Sequence, residues 1–106
     1  MSIQAWWFLL SGGLMNKEER RLIDVKIGYQ LRKVRAYRGL TMQKLGLELE
    51  ISYQQIQKYE SGVDRLSGGL IYDVSKILDF PIEFFFIEDD PMTYINKIWQ
   101  EQKFGQ

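Results

Sequence analysis

Two short helical patterns with a three-residue break between them constrain the fold of this chain more than any other feature. The first pattern begins at Thr41, whose hydroxyl can cap a helix. Residues 50–52 interrupt the periodicity, and Ser52 with Gln55 forms a capping box that opens the second pattern. Three apolar residues are spaced to pack between the two helices and fix their crossing angle: Leu45, Ile51 and Ile56. We therefore expect the front of the second helix to face solvent.

Helical periodicity continues on both sides of this pair. Apolar residues before it recur at steps of four, four and three, namely Ile23, Ile27, Leu31 and Val34. That helix is predicted to end at Gly39. Further helices are predicted after Ser67, at Pro81 and at Pro91, and no strand-like alternation of useful length is found. The sequence predicts an all-α fold.

The chain has no cysteine and no histidine. Disulfides, zinc sites of the usual kind, Ser-His-Asp triads and Cys-His pairs are therefore excluded by composition. An enzyme would depend on carboxylates, Lys, Tyr or Ser alone. We expect no enzymatic activity, no cofactor and no metal.

The charged residues balance but are unevenly distributed. The chain has 14 basic and 14 acidic residues, yet residues 17–65 hold eleven bases against seven acids, and residues 66–106 hold three against seven. Residues 26–38 contain five bases and no acid. This asymmetry favours a polyanionic partner for the first part of the chain. The alternative is that the bases form solvated helix faces.

The first ten residues are the most apolar stretch. They are shorter than the roughly 20 residues that cross a membrane, and no base precedes Leu10 as a secretory signal requires. We interpret residues 1–14 as an upstream or non-native extension and Met15 as the natural start. The alternative is that this apolar segment docks on the domain or on a second subunit through Trp6, Trp7, Phe8 and Leu9.

Residues 27–86 resemble the Cro/C1-type, or XRE-like, helix-turn-helix domain of bacterial and phage repressors. The resemblance covers about 60 of the 106 residues in one register and spans four helices. It is carried by Ile27-Gly28, Arg32, Arg35, Gly39-Leu40-Thr41, Leu45-Gly46, Ile51-Ser52, Ile56, Tyr59-Glu60, Gly62, Leu70, Val74, Leu78, Pro81 and Phe85. Residues 52–62 and 65–69 are also similar to a subgroup common in alphaproteobacterial transcriptional regulators.

The resemblance implies a compact five-helix, λ-repressor-like DNA-binding domain with an additional C-terminal helix. We expect an N-terminal lead over residues 15–22, the helix-turn-helix domain over 23–87, and an acidic linker with a C-terminal helix over 88–106. The implied function is sequence-specific binding of double-stranded DNA by a bacterial, cytoplasmic transcriptional regulator. The implied assembly is a homodimeric repressor, with no membrane attachment and no small-molecule effector.

The resemblance also implies roles for individual residues. The base contacts would come from Tyr53, Gln54, Gln55 and Lys58, although the capping box can engage Gln55 locally. The phosphate contacts would come from Thr41, Met42, Gln43, Lys44, Ser61 and Arg65. Met42 departs from the family pattern, because its thioether cannot donate to phosphate. Arg35 and Glu60 match a structural salt bridge, and the freer bases, solvated or on phosphate, would be Arg32, Lys33 and Arg38.

Dimerisation is expected to use aromatic residues beyond what a small core absorbs. The candidates are Phe84, Phe86, Trp99 and Phe104, and the alternative is that some of them complete the core. Two further departures suggest a soft domain or one supported by a partner. Gly46 stands where the family usually has alanine, at a cost near ~1 kcal/mol. Glu50 stands where it usually has glycine, with strain of roughly 1–2 kcal/mol if its backbone is left-handed.

Two other functions remain open at the level of sequence. The chain could be the antitoxin of a toxin–antitoxin pair, which would add a protein partner. It could also be a protein-interaction module that keeps the fold without binding DNA.

Overall fold

The computed structural model describes residues 15–104, and their side chains as far as residue 102. The helices are α1 (Lys17–Tyr37), α2 (Met42–Leu49), α3 (Tyr53–Ser61), α4 (Gly68–Ile77), a 3₁₀ helix (Ile82–Phe86) and α5 (Pro91–Phe104). All regular structure in this part of the chain is helical, which confirms the predicted all-α fold. The predicted fifth helix is only a short 3₁₀ helix preceded by Pro81. The expected extension 1–14 lies outside the described residues.

Helix α1 begins six residues earlier than its apolar pattern indicates. Asn16 caps it, since its Oδ1 accepts a hydrogen bond from the Glu19 N–H at 2.8 Å. Most of the expected lead, 15–22, is therefore part of α1. Ile23, which shares a helix face with Ile27, Leu31 and Val34, is 38% exposed. The first buried residue of α1 is Ile27.

The core lies between α1, α2, α3, α4 and the 3₁₀ helix. Its fully buried side chains include Leu31, Leu45, Ile56, Phe84 and Phe85. The ring of Phe84 packs edge-on against Phe80, with centroids 4.9 Å apart, and 5.3 Å from the ring of Tyr94 on α5. The prediction of Phe84 at a dimer surface was therefore wrong. The tight 3₁₀ turn directs Phe84 and Phe85 inward and leaves Phe86 54% exposed.

A buried glutamine holds the chain between the 3₁₀ helix and α5. Gln30 is 2% exposed, and its Nε2 donates to the Ile87 carbonyl at 2.5 Å and to the Phe84 carbonyl at 3.2 Å. These bonds satisfy a polar group that would otherwise be costly to bury. The amino-acid sequence does not predict this role of Gln30, because a single glutamine within a helical pattern carries no distinctive signal.

The acidic linker after the 3₁₀ helix is bound to basic side chains. Lys26 of α1 pairs with Glu88, and Lys97 of α5 pairs with Asp89 at 3.1 Å. The hydrogen bond and charge of Lys26 lower the pKa of Glu88 below its ordinary value. The backbone N–H of Asp90, together with Lys97, lowers the pKa of Asp89 in the same way. No helix between residues 15 and 104 is both long and apolar enough to span a bilayer.

Candidate nucleic-acid interface

The turn between α2 and α3 brings the backbone of the two helix ends into close contact. Thr41 caps α2 through its Oγ1, which accepts from the Lys44 N–H at 3.1 Å. Glu50 ends α2 in the left-handed region, at φ 59°. A Cβ on Gly46 would lie 2.6 Å from the Ile51 carbonyl oxygen. Glycine is therefore required at position 46 by the closeness of this turn, although it lowers the helix propensity of α2.

Helix α3 is capped at both ends. The Ser52 Oγ accepts from the Gln55 N–H at 3.2 Å, and Gly62 ends the helix at φ 78°. The Gln55 side chain does not return to Ser52 as the capping box predicts. Its Nε2 donates to Asp64 Oδ2 at 2.8 Å, in the loop after α3. This bond fixes that loop against the start of α3.

The inner face of α3 is fixed by a buried ion pair. Arg35 donates from Nε to Glu60 Oε2 at 2.5 Å and from Nη2 to Oε1 at 2.9 Å. The two side chains are only 13% and 6% exposed. Arg35 also donates from Nη1 to the Leu40 carbonyl at 2.8 Å, just before α2. One guanidinium therefore links α1, the entry to α2 and the end of α3.

The outer face of α3 is a row of polar side chains. Ile56 and Glu60 are buried on the other side, which fixes the rotation of the helix. Tyr53 is 43% exposed, and Gln54 is exposed at the first turn. Within residues 15–102, none of the row's side chains has a hydrogen-bond or ion-pair partner. The row, called here the α3 outer row, consists of Tyr53, Gln54, Gln57 and Lys58.

The predicted phosphate-contacting residues lie at two places beside α3. Gln43 and Lys44 are exposed in the first turn of α2. Ser61 and Arg65 are exposed at the end of α3 and in the loop after it. Met42 is partly buried against the core, so its side chain is unsuited to a phosphate contact. At the position of Met42 the polar group that an anion can use is therefore the backbone N–H.

Two of the three bases expected to be free donate hydrogen bonds to backbone carbonyls of the domain. Lys33 donates to the Asp89 carbonyl at 2.6 Å and lies over the Tyr29 ring. Arg38 donates to the Leu78 carbonyl at 2.7 Å and to the next carbonyl along the chain. Arg32 is exposed and, among the described residues, has no such partner. It lines a groove of about 280 Å³ next to Gln57. Arg32 is therefore the one of these three bases that stays available beside α3.

Two of the predicted dimerisation residues lie on α5. Trp99 lies on α5 and is 59% exposed, whereas the Phe104 side chain lies outside the described residues. No cluster of acidic side chains in the described part of the chain could hold a metal ion.

The family model and the relatives that this chain resembles carry consistent descriptions. The sequence model of the helix-turn-helix family matches residues 31–85. The chain is 42% identical over 76 residues to an uncharacterized HTH-type transcriptional regulator of Sinorhizobium medicae, covering 72% of this chain and 54% of the relative. It is 39% identical over 64 residues to an uncharacterized transcriptional regulator in the ATPase CF(0) region of Rhodospirillum rubrum, covering 60% and 59%. The chain spans about half the length of the curated relatives it matches.

Proposed function

The chain belongs to the helix-turn-helix family, and we propose that it binds double-stranded DNA sequence-specifically and regulates transcription. In this proposal α3 enters the major groove, which is wide enough for an α-helix. The α3 outer row carries the proposal, since no part of the described chain covers it and the opposite face of α3 is fixed in the core. The N-terminal residues of such a helix are those that meet base edges.

The side chains of the α3 outer row differ in what they can contact. The Gln54 amide can pair bidentately with adenine N6 and N7, and the Lys58 ammonium can donate to guanine O6 and N7. Tyr53 packs on a thymine methyl group or on a sugar. We assign Gln55 to holding the loop through Asp64 rather than to a base, because its amide already has that partner.

The DNA backbone is held on both sides of α3. At the start of α2 the contacts come from Gln43, Lys44 and the free backbone N–H groups of the first turn. At the other end they come from Ser61 and Arg65. Such contacts position the protein on the duplex without selecting a sequence.

The proposed assembly is a homodimeric repressor in the bacterial cytoplasm. One helix contacts only a few base pairs, and a dimer on half-sites about 34–36 Å apart contacts twice as many. Phe86 and Trp99, both more than half exposed, are the described aromatic residues we assign to the dimer surface. Sedimentation equilibrium of the full chain measures the association directly.

Selection of bound duplexes from a random pool, followed by titration of Gln54→Ala, tests the function. We expect the variant to lose about 1–3 kcal/mol on the selected site and to lose its preference at one base pair. Gln100→Ala is the matched control, because Gln100 is exposed on α5. A uniform loss across all sequences would exclude Gln54 as a base contact. No binding of the unmodified chain at low salt would favour the protein-interaction module.

A further inference from the structure

The first two turns of α1 carry three basic residues on one side of the helix. Lys17, Arg20 and Arg21 are spaced at i, i+3 and i+4, so their side chains are neighbours. All three are exposed. Arg20 donates to the Met15 carbonyl at 2.9 Å, and Arg21 lies 4.0 Å from Glu18 with both side chains mostly in solvent. Such exposed contacts are weak, so these charges remain available to a ligand.

These residues form one wall of a groove of about 440 Å³ whose other wall is the loop after α3. A Cβ on Gly62 would lie 2.6 Å from Val25 Cγ2, so the loop lies directly against α1. Arg65 lines the groove from the loop side, and Asp24 is the one acidic side chain that lines it. The groove therefore presents four basic groups against a single acidic one.

This groove of the protein lies beside α3, the helix that we assign to the major groove of DNA. The loop is folded onto α3, since Asp64 N–H donates to the Lys58 carbonyl at 3.2 Å and Gln55 holds the Asp64 carboxylate. From Lys17 to Val25, α1 extends about 12 Å at roughly 1.5 Å per residue. The bases of its first two turns therefore lie within about 12 Å, along the helix axis, of the place where α1 meets the loop that carries Arg65.

We propose that Lys17, Arg20 and Arg21, together with Arg65, form a sequence-independent contact to the DNA backbone at the edge of the groove occupied by α3. This inference rests on the proposed function and adds the start of α1 to the DNA interface. Each phosphate neutralised by these bases releases condensed counterions, so the contact contributes to the salt dependence of binding and not to base preference.

The test compares the salt dependence of binding in charge-matched variants of the full chain. Lys17→Gln/Arg21→Gln removes two charges from the groove, and Lys76→Gln/Lys97→Gln removes two from α4 and α5. The slope of log K against log salt, measured between about 50 and 200 mM, is expected to become shallower by about 1.8 for each bound protomer of the groove variant. The control variant should keep the slope of the unmodified chain. The ratio of affinities for the selected site and a random duplex should stay the same in both.

Thermal melts followed by circular dichroism establish that each variant is folded. Arg65→Gln provides a check from the other wall, with an expected change in slope of about 0.9 for each bound protomer. An unaltered slope in the groove variant, or an equal loss in the control, overturns the inference while leaving base contact by α3 intact. Failure of the unmodified chain to bind any duplex at low salt overturns the proposed function, and the inference with it.

Discussion

Replacing Gly28 by alanine is expected to destabilise the domain, although helix propensity alone predicts the opposite. Gly28 is buried in α1 where that helix crosses α3. A Cβ at this position would lie 2.0 Å from the Tyr59 carbonyl oxygen, whereas ordinary contacts begin at 3.4 Å. The obstacle is backbone, which cannot rotate away as a side chain can. The two helices would have to separate by more than 1 Å along this line.

The size of the effect follows from two opposing contributions. Alanine in a helix interior gains about 1 kcal/mol over glycine. Overpacking a closely packed site costs about 1–3 kcal/mol, and we expect the upper end because Tyr59 adjoins Glu60 of the buried ion pair. The net loss in the free energy of unfolding is therefore about 2 kcal/mol. For a domain of this size, that lowers Tm by about 8–16 °C.

Chemical denaturation followed by far-ultraviolet circular dichroism measures the change. Gly69→Ala is the matched control, because Gly69 lies in α4 and an added Cβ meets nothing within 4 Å. The control is expected to be as stable as the unmodified chain or more stable, by up to about 1 kcal/mol. A Gly28→Ala variant at least as stable as the unmodified chain would refute the close α1–α3 crossing.

Two further predictions concern the ion pairs. Glu60→Gln keeps one oxygen that can accept from Arg35 but removes the carboxylate charge, which leaves the buried guanidinium without a counterion. Unfolding by urea should therefore show a loss of about 3 kcal/mol, the lower end for buried pairs. A variant that unfolds at the same urea concentration as the unmodified chain would contradict this. Glu88 has a lowered pKa because of Lys26, so its contribution to stability is present at neutral pH and is lost as the pH falls from about 4.5. Glu88→Gln should reduce the decline of Tm between neutral and acidic pH, and an unchanged decline would count against the pairing.

The local chemistry of the chain was sufficient to predict α2, α3 and α4 and the residues that cap their N-termini. Thr41, Ser52 and Ser67 each accept a hydrogen bond from the N–H three residues later, as their positions before apolar patterns indicated. These are short-range interactions between residues close in sequence, so periodicity and capping residues predict them directly. The wedge between α2 and α3 was predictable for the same reason, because Leu45 and Ile56 are only eleven residues apart and both are fully buried.

Long-range contacts decided the rest. Whether Phe84 or Phe86 faces the core depends on how the 3₁₀ helix meets α1 and α5, and three consecutive phenylalanines carry no periodicity that distinguishes them. The engagement of Lys33 by the Asp89 carbonyl joins residues 56 positions apart, and the groove of Lys17 and Arg65 exists only because the loop after α3 lies against α1. Sequence patterns report which residues share one helix face. Which of those faces is covered depends on the packing of elements far apart in the chain, and therefore on the tertiary structure.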